Sequence, residues 1–476
     1  MPELPEVETA RCIAHDELVG KTLESLTYPK QYKEGYDAII FCEGYAALKK
    51  LCSTAKGSKV VGTGRHGKYF WISIMPSQYA SNPTKHKDKT CHIVLHFGMT
   101  GYLRVKDGKE AHYRRGKNSD DSVWPPKFWK LSFKTTDGRD VMIGDGRRLA
   151  RIRLLENVAS PYEVPRAKPG DTMDVNAKGG WDVPLPMKCL EKMGIDALAQ
   201  LSRLADFHIP SGVSERRRVK EQGLLMKRIL CARPADIREG IIERTAVQRI
   251  SLKAVLDSNG NVIETSNLPS PLSGQPDWGI DHKPKRKTDL KTALLDQQVL
   301  AGLGNYMVDE ICYQAKIHPG RQVLDLSDKE FEILYQKIVG VSRDCVANDA
   351  DYRKYPKNWL FHRRWGKNKE ATDHKGNPVV FDEFGGRTTA YVPAVQGVIK
   401  SKPKETRKKK SDSDKSGGKK AKGGKSAAKK VAKKGKPSKA TQKKVAKKGK
   451  ATKKIVAKKK LQKKVLAKKP KRGAKK

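Results

Sequence analysis

The C-terminal segment, residues 401–476, most constrains what this chain can fold into, because it cannot bury a hydrophobic core. It holds 35 lysines and arginines against three acidic residues, and it repeats a Lys-Lys-Val-Ala-Lys-Lys-Gly-Lys unit. With so little apolar surface, the entropy cost of folding is not offset, so we predict a disordered tail over residues 398–476. Folding is then confined to about 400 residues, a length typical of two domains with additional segments.

Charge indicates a nucleic-acid partner. The chain carries a formal net charge of +47, of which +32 lies in residues 401–476 and +15 in the residues before them. Both parts are therefore basic, and polycations bind nucleic acid by releasing counterions from the phosphates. We expect the folded part to bind DNA and the tail to add non-specific affinity, with its basic clusters directing the protein to the nucleus.

Cysteine usage and hydropathy exclude several other classes of protein. The eight cysteines form no C-x-x-C pair, the N-terminus has no apolar signal-like region, and no apolar run approaches 18 residues. These features predict a soluble intracellular protein with free thiols, no membrane partner and no zinc site built from cysteines.

Residues 2–155 have the pattern of one β-rich domain. A helical spacing of apolar residues covers Pro5–Leu18. Short alternating segments follow at Tyr69–Ile74, His92–Phe97, Lys130–Phe133 and Asp140–Ile143. A helix followed by many short strands predicts a β-sandwich with a packed N-terminal helix.

The second half of the chain has a helical pattern. In residues 288–350, an apolar face from Leu290 to Leu300 is broken at Gly302-Leu303-Gly304-Asn305 and resumes to Ala315. A further helix is predicted over Leu324–Val341, with Ser327 as its N-cap. Residues 351–397 end in a β-hairpin around Gly385-Gly386, so the predicted fold class is α+β with several domains.

Two segments connect these domains. Residues 156–210 form an interdomain segment. Residues 211–287 have weak periodicity and basic clusters, and we interpret them as an inserted, disordered loop. A wrongly retained intron is the alternative explanation for the insertion.

Five motifs then resemble, in order, those of the formamidopyrimidine-DNA glycosylase (Fpg/Nei) family. They are Met1-Pro2-Glu3-Leu4-Pro5-Glu6-Val7-Glu8-Thr9, His96-Phe97-Gly98-Met99-Thr100-Gly101-Tyr102-Leu103-Arg104, Asp145-Gly146-Arg147-Arg148-Leu149, Leu290 to Gln297 through Gly302 to Glu310 and then Ile317-His318-Pro319, and Gly385-Gly386-Arg387-Thr388-Thr389-Ala390-Tyr391. The resemblance implies a helix–two-turns–helix domain and a bifunctional DNA glycosylase/AP lyase of base excision repair that acts on damaged double-stranded DNA.

The predicted chemistry begins at Pro2. Once Met1 is removed, Pro2 offers a secondary amine that titrates near neutrality and can attack the sugar C1′ atom. Glu3 is suited to general acid/base catalysis beside it. The resemblance assigns further active-site roles to Lys68 and Glu310.

The resemblance also assigns the DNA-binding residues. Met99 fills the space left by an everted nucleotide, Arg147 bonds the orphaned base, and Leu149 stands where the family has an intercalating Phe. Lys291 and Asn305 match phosphate-contacting positions, and Arg387 matches the arginine at the finger tip.

The family's four zinc cysteines are absent, and the closing stretch is Val392-Pro393-Ala394-Val395. We therefore predict a zincless finger, no metal, no cofactor and a monomer. The expected substrates are oxidised purines, namely formamidopyrimidines and further-oxidised guanines, with weak action on 8-oxoguanine because the segment between Val341 and Phe361 is short. An oxidised-pyrimidine (Nei-type) glycosylase and a non-catalytic damaged-DNA or chromatin binder remain as alternatives.

Overall fold

The computed structural model describes residues 2–31, 36–108, 123–156, 190, 193–201, 212–231, 286–365 and 370–399. Most of the interdomain segment, most of the predicted insertion after residue 231, and all but the first two residues of the predicted disordered tail lie outside these residues. Within the described ranges, no helix combines the length and the apolar character that a membrane span requires.

The N-terminal helix, α1, spans Leu4–Leu18, in agreement with the sequence pattern. It begins in a capping arrangement in which the Glu6 carboxylate accepts the backbone N–H of Glu3 (2.8 Å), and Pro5 occupies the first turn, where a missing N–H costs nothing. Its buried face packs Val7, Ala10, Ala14 and Leu18 into the core of the first domain.

The first domain is a β-sandwich, as expected. Its strands are β1 (Leu23–Thr27), β2 (Phe41–Glu43), β3 (Lys59–His66), β4 (Tyr69–Met75), β5 (Cys91–His96), β6 (Tyr102–Val105), β7 (Trp129–Thr135), β8 (Asp140–Gly144) and β9 (Arg151–Leu155), with helix α2 (Tyr45–Thr54) after β2. One sheet has the order β1-β7-β8-β6 and the other β2-β9-β5-β4-β3. Buried Phe70, Leu95, Phe133 and Ile143 belong to one core shared by both sheets.

The second folded region is helical. Its elements are β10 (Ile195–Asp196), α3 (Glu215–Cys231), α4 (Leu290–Leu295), β11 (Leu300–Ala301), α5 (Asn305–Ala315) and α6 (Asp328–Ala347). As predicted, Ser327 caps α6, with its hydroxyl accepting the N–H of Glu330 (3.3 Å). A second apolar core, which includes Met226, Leu294 and Phe331, joins these helices.

Two expectations about this region were wrong. Helix α4 ends at Leu295, whereas the apolar pattern had suggested helix up to Leu300. The Gln297 side chain explains the early stop, because it accepts the N–H of Gly302 (3.0 Å) and donates to the carbonyls of Leu295 and Leu303 (both 2.9 Å), which holds a turn. Leu300 is instead in strand β11, which pairs in parallel with β10.

The predicted loop at 211–287 also begins differently from the expectation, because Glu215–Cys231 is the helix α3. Its buried apolar residues are confined to its second half, where Leu225, Met226, Ile229 and Leu230 are fully buried. The charged first half hides this periodicity in the sequence, and contact with α6 supplies the stability that the local pattern does not indicate.

The last described elements form the predicted hairpin. Strands β12 (Val380–Phe384) and β13 (Arg387–Tyr391) pair antiparallel and are joined by Gly385 and Gly386. These glycines have φ angles of 59° and 67°, as a two-residue type I′ turn requires. A short helix, α7 (Pro393–Gln396), follows.

Candidate active site and nucleic-acid interface

The N-terminus of the chain is docked on the N-terminus of helix α5. The buried Glu3 carboxylate accepts the backbone N–H groups of Tyr306 (3.0 Å) and Met307 (3.2 Å). A carboxylate satisfies these otherwise unpaired donors and interacts favourably with the helix dipole. Gly304 makes the approach possible, because a Cβ atom there would lie 2.0 Å from Glu3 Cδ.

Lys68 reaches the same place from the turn between β3 and β4. The Asp196 carboxylate fixes this turn by accepting the backbone N–H of Gly67 (2.6 Å). Lys68 Nζ then donates to the carbonyl of Leu303 (2.6 Å), next to the glycine that contacts Glu3. The structure thus brings Lys68 and Glu3 together beside the buried Pro2.

Burial shifts the pKa values of Glu3 and Lys68 in opposite directions. Desolvation raises the pKa of Glu3, and the positive charge of Lys68 partly opposes this rise. Desolvation lowers the pKa of Lys68, and the carboxylate of Glu3 opposes that change. A site where an acid holds its proton more tightly and an amine holds it less tightly is suited to proton transfer near neutrality.

A second carboxyl group, not singled out from the sequence, lies beside Glu3. Glu6 Oε1 accepts the hydroxyl of Tyr306 (2.8 Å), in addition to the backbone bond from Glu3 at its other oxygen. Burial, with a smaller contribution from the negative charge of Glu3, raises the pKa of Glu6 to about 7. In the sequence, the feature that points to Glu6 is its position three residues after Glu3, where a glutamate can cap the N-terminus of a helix.

Glu310 lies one turn further along α5. Its carboxylate accepts the side-chain amide of Gln314 (2.9 Å) and the backbone N–H of Phe361 (2.8 Å). Burial raises its pKa to about 7. Among the described residues no hydrogen bond joins it to Pro2, Glu3 or Lys68, so its expected active-site role stays a prediction.

A cavity of about 380 Å³ opens beside Lys68. Its lining residues come from α4 and its flanks, the turn before α5, and the hairpin tip: Lys68, Arg286, Thr292, Leu295, Asp296, Gln297, Gly304, Asn305, Gly385 and Arg387.

The cavity is predominantly cationic. Three of the lining side chains are basic, and the carboxylate of Asp296 is paired with Arg286 (2.6 Å). Arg286 Nη1 and Asn305 Oδ1 are buried without a hydrogen-bond partner in the described part of the chain. A buried N–H donor such as Arg286 Nη1 is normally satisfied, and the positive charge favours an anionic acceptor such as a phosphate. Asn305 Oδ1 is itself an acceptor and does not add to this preference.

Lys291 is not at this surface, in contrast to the expected phosphate contact. Its side chain is fully buried, with Nζ donating to Asp309 (2.5 Å) and to the carbonyl of Thr388 (3.3 Å). Asn305 donates to the same carbonyl (2.9 Å). Lys291 therefore holds the hairpin, because the buried Asp309 carboxylate requires a counter-charge.

Asp309 is the centre of this attachment. It also accepts Arg364 Nη2 (2.6 Å) and the backbone N–H of Ala390 in strand β13 (3.2 Å). These bonds fix β13 and place Arg387, at its start, on the rim of the cavity. Asp309 and Arg364 were not singled out from the sequence, although Asp309 directly precedes Glu310.

The residues expected to fill the duplex gap form a separate group around Asp145. This buried carboxylate accepts the hydroxyl of Thr100 (2.6 Å) and the backbone N–H groups of Arg147 (3.0 Å), Leu149 (2.6 Å) and Ala150 (2.7 Å). Gly98, with φ of 59°, lies against the carbonyl of Leu149, where a Cβ atom would come within 2.3 Å. The loops of Met99, Arg147 and Leu149 are thereby joined into one unit, which we call the wedge.

Comparisons with known proteins match the two segments of the chain that meet at the N-terminus of α5. The profile of the formamidopyrimidine-DNA glycosylase N-terminal domain matches residues 1–152, and that of the formamidopyrimidine-DNA glycosylase H2TH domain matches residues 275–355. The chain belongs to the formamidopyrimidine-DNA glycosylase family. Both matched segments contain residues that meet at the α5 N-terminus, Glu3 and Lys68 from the first and Gly304 from the second.

Individual relatives carry the family name. The formamidopyrimidine-DNA glycosylase of Arabidopsis thaliana is 24% identical over 396 residues, which are 83% of this chain and 71% of the plant protein. That of Listeria innocua is 34% identical over 120 residues, 24% of this chain and 44% of the bacterial protein. The match to this bacterial relative therefore spans less than half of its length.

Among solved structures, formamidopyrimidine-DNA glycosylase of Lactococcus lactis, non-covalently bound to DNA containing an AP site, is similar to this chain. It shares 18% identity and a TM-score of 0.47, over 83% of this chain and 99% of that one.

Proposed function

We propose that this chain is a bifunctional DNA glycosylase and AP lyase of base excision repair, with Pro2 as its nucleophile. The main support is the contact of Glu3 and Lys68 with the N-terminus of α5, since it brings the acid that follows Pro2 in the chain together with a base that lines the cationic cavity. Family membership supports the same reaction class.

In the proposed reaction the free amine of Pro2 attacks C1′ of the damaged nucleoside. The N–C1′ bond forms as the bond to the base breaks, and the proton that the amine nitrogen loses leaves with the base. Glu3, whose pKa burial raises, donates a proton to the sugar ring oxygen as the ring opens to an iminium ion. Loss of a C2′ proton then expels the 3′ phosphate, and a second elimination expels the 5′ phosphate.

The cavity is proposed to hold a phosphate next to the lesion. Lys68 and Arg387 would donate to its oxygens from two directions, and Asn305 would contribute from the α5 N-terminus. Lys291 is proposed to act through the hairpin that carries Arg387, because its own Nζ is buried. Met99, Arg147 and Leu149 are proposed to occupy the duplex once the nucleotide is everted.

Borohydride trapping tests the nucleophile. Protein shown by mass spectrometry to lack Met1 should form a covalent adduct with an AP-site duplex, and peptide mapping should place it on Pro2. An adduct on a lysine would contradict the role of Pro2. Absence of an adduct, under conditions that trap a known lyase, would favour a non-catalytic binder of damaged DNA.

The proposed substrates are oxidised purines, chiefly formamidopyrimidines and further-oxidised guanines. An oligonucleotide panel should show faster excision of formamidopyrimidine than of 8-oxoguanine paired with C. Equal rates would contradict the purine preference proposed here, and faster excision of oxidised pyrimidines would favour the Nei-type alternative.

We also propose that the finger contains no zinc. Val392 and its neighbours occupy the closing ligand positions, and a small apolar cluster of Tyr313, Leu360, Val379, Ala390 and Val392 supports the hairpin. Treatment with a chelator should then leave the melting temperature and DNA affinity unchanged, and a loss of either on chelation would refute the proposal.

A monomer in the nucleus is the proposed state of the protein. The basic clusters of the tail support nuclear import. Light scattering should give the mass of one chain, and a fluorescent fusion should lose nuclear accumulation when residues 400–476 are removed. A dimer in solution, or nuclear retention without the tail, would contradict these two statements.

A further inference from the structure

Phe128 is a large aromatic residue at the protein surface, directly before strand β7. Its side chain is 42% exposed. Its backbone is fixed, since the carbonyl of Phe128 accepts the N–H of Asp145 (3.0 Å). Its ring lies against Gly146, the residue after Asp145. The Cδ2 atom of Phe128 is 3.4 Å from the position that a Cβ atom of Gly146 would take. Phe128 is therefore bonded to the backbone of Asp145, the residue whose carboxylate organises the wedge.

The wedge also presents apolar side chains at the protein surface. Met99 is 44% exposed, and Leu149 is half-buried. Cationic side chains border this surface, because Arg147 is exposed one residue beyond Gly146 and Lys127 Nζ lies 5.6 Å from the centre of the Phe128 ring. Exposed aromatic rings bordered by lysine and arginine are suited to nucleobases, which stack on the ring while the cations meet phosphates.

We propose that Phe128 is a further DNA-contacting residue of the wedge and stacks on an unpaired base face next to the everted nucleotide. The inference rests on the proposed function for its substrate, damaged duplex DNA. Leu149 has no aromatic surface to offer at this gap, and Phe128 supplies one from the neighbouring strand. Because its backbone is tied to Asp145, the ring is held ready before DNA binds.

The test is a binding measurement that requires no catalysis. The probe is a duplex with a stable abasic analogue and 2-aminopurine opposite it, compared with an undamaged duplex of the same sequence. Phe128→Ala should weaken binding to the abasic duplex about tenfold, within the range of aromatic–base stacking, and should alter the 2-aminopurine emission of the complex. Binding to the undamaged duplex should change little, and Phe128→Trp should restore the abasic affinity more fully than Phe128→Leu.

The matched control is Leu324→Ala, which removes another exposed apolar side chain (37% exposed) in the second folded region. It should leave both affinities unchanged. The melting temperature of Phe128→Ala should equal that of the unmodified protein, since an exposed ring contributes little to the core.

Two outcomes would overturn the inference: unchanged abasic affinity in Phe128→Ala, or an equal loss on damaged and undamaged duplexes. The outcome of the borohydride experiment is independent of these binding measurements. If the unmodified protein forms no adduct, the proposed chemistry is wrong, but the affinities still decide whether Phe128 contacts the gap.

Discussion

At the scale of single residues, the main feature is the number of carboxyl groups kept away from water around α1 and α5. Glu3, Glu6 and Glu310 are buried, and each has a raised pKa because its charged form is poorly solvated. Proton-transfer sites need such groups, but they cost stability at neutral pH. The cost should be measurable as a pH dependence of unfolding.

We expect Glu310→Gln to reduce that pH dependence. The folded state raises the Glu310 pKa from 4.5 to about 7, so between these values the native state binds more protons than the unfolded chain. The contribution is fully present below pH 4.5 and is lost as pH rises through 7, on the order of 3 kcal/mol. Urea unfolding between pH 4.5 and 8 should show a smaller decline in Glu310→Gln.

Glu6 should maintain part of the decline in that variant, because its pKa is raised in the same direction. Glu24→Gln, which changes an exposed glutamate paired with Lys134, is the control and should retain the slope of the unmodified protein. An unchanged slope in Glu310→Gln would show that this carboxyl does not titrate differently on folding.

Asp145→Asn should loosen the wedge. The carboxylate serves four donors with two oxygens, whereas an amide has one acceptor oxygen and would leave buried N–H groups unpaired. We expect a loss of about 2 kcal/mol in stability and weaker binding to an abasic-analogue duplex. Asp107→Asn is the control, because Asp107 is exposed with φ of 52°, a conformation that asparagine tolerates. Equal melting temperatures for Asp145→Asn and the unmodified protein would contradict this account.

At the scale of elements, side chains of the helical region fix the hairpin. Lys291 lies in α4 and Asp309 lies in α5, the helices on either side of the glycine turn, and both bond to strand β13. The attachment explains how a hairpin of this size can position Arg387 in the absence of metal ligands at its closing residues. A two-stranded hairpin alone is marginally stable.

Lys291→Ala should therefore release the hairpin. Asp309 would remain buried with Arg364 as its ionic partner, and removing one member of a buried ion pair costs about 3–5 kcal/mol. Limited proteolysis should cut β12–β13 faster, and DNA affinity should fall because Arg387 loses its place. Lys329→Ala, which removes an exposed pair with Glu332, should do neither. A stable, protease-resistant Lys291→Ala protein that still binds DNA weakly would instead favour a direct phosphate contact.

At the scale of the whole molecule, the net charge is divided into +15 in residues 1–400 and +32 in residues 401–476, and we expect the folded part to select damaged DNA and the tail to add non-specific affinity. Removal of residues 399–476 should lower affinity for undamaged DNA and reduce the slope of log affinity against log salt, because fewer phosphates are neutralised. Turnover on a lesion duplex at low salt should change little. Truncation at residue 437 should give an intermediate slope, and loss of lesion preference on truncation would contradict the division.

The sequence by itself determined the elements whose signal is local. The helix at Leu4–Leu18, the Ser327 cap and the Gly385-Gly386 turn follow from spacing, capping chemistry and positive φ angles within a few residues. The family resemblance also predicted active-site roles for Pro2, Glu3 and Lys68, and the structure places Glu3 and Lys68 together at the N-terminus of α5. Such features are predictable because their physical cause lies within one turn or one strand.

Only the tertiary structure decided which buried charges meet. Lys291 matched a phosphate-contacting position in the sequence, but it is buried in an ion pair with Asp309. Helix α3 forms because its apolar half is covered by α6. Burial also raises the pKa of Glu6 and Glu310 to about 7, and Asp145 brings Phe128 to the wedge. Desolvation and long-range ion pairing depend on segments far apart in the chain, so no local pattern could have specified them.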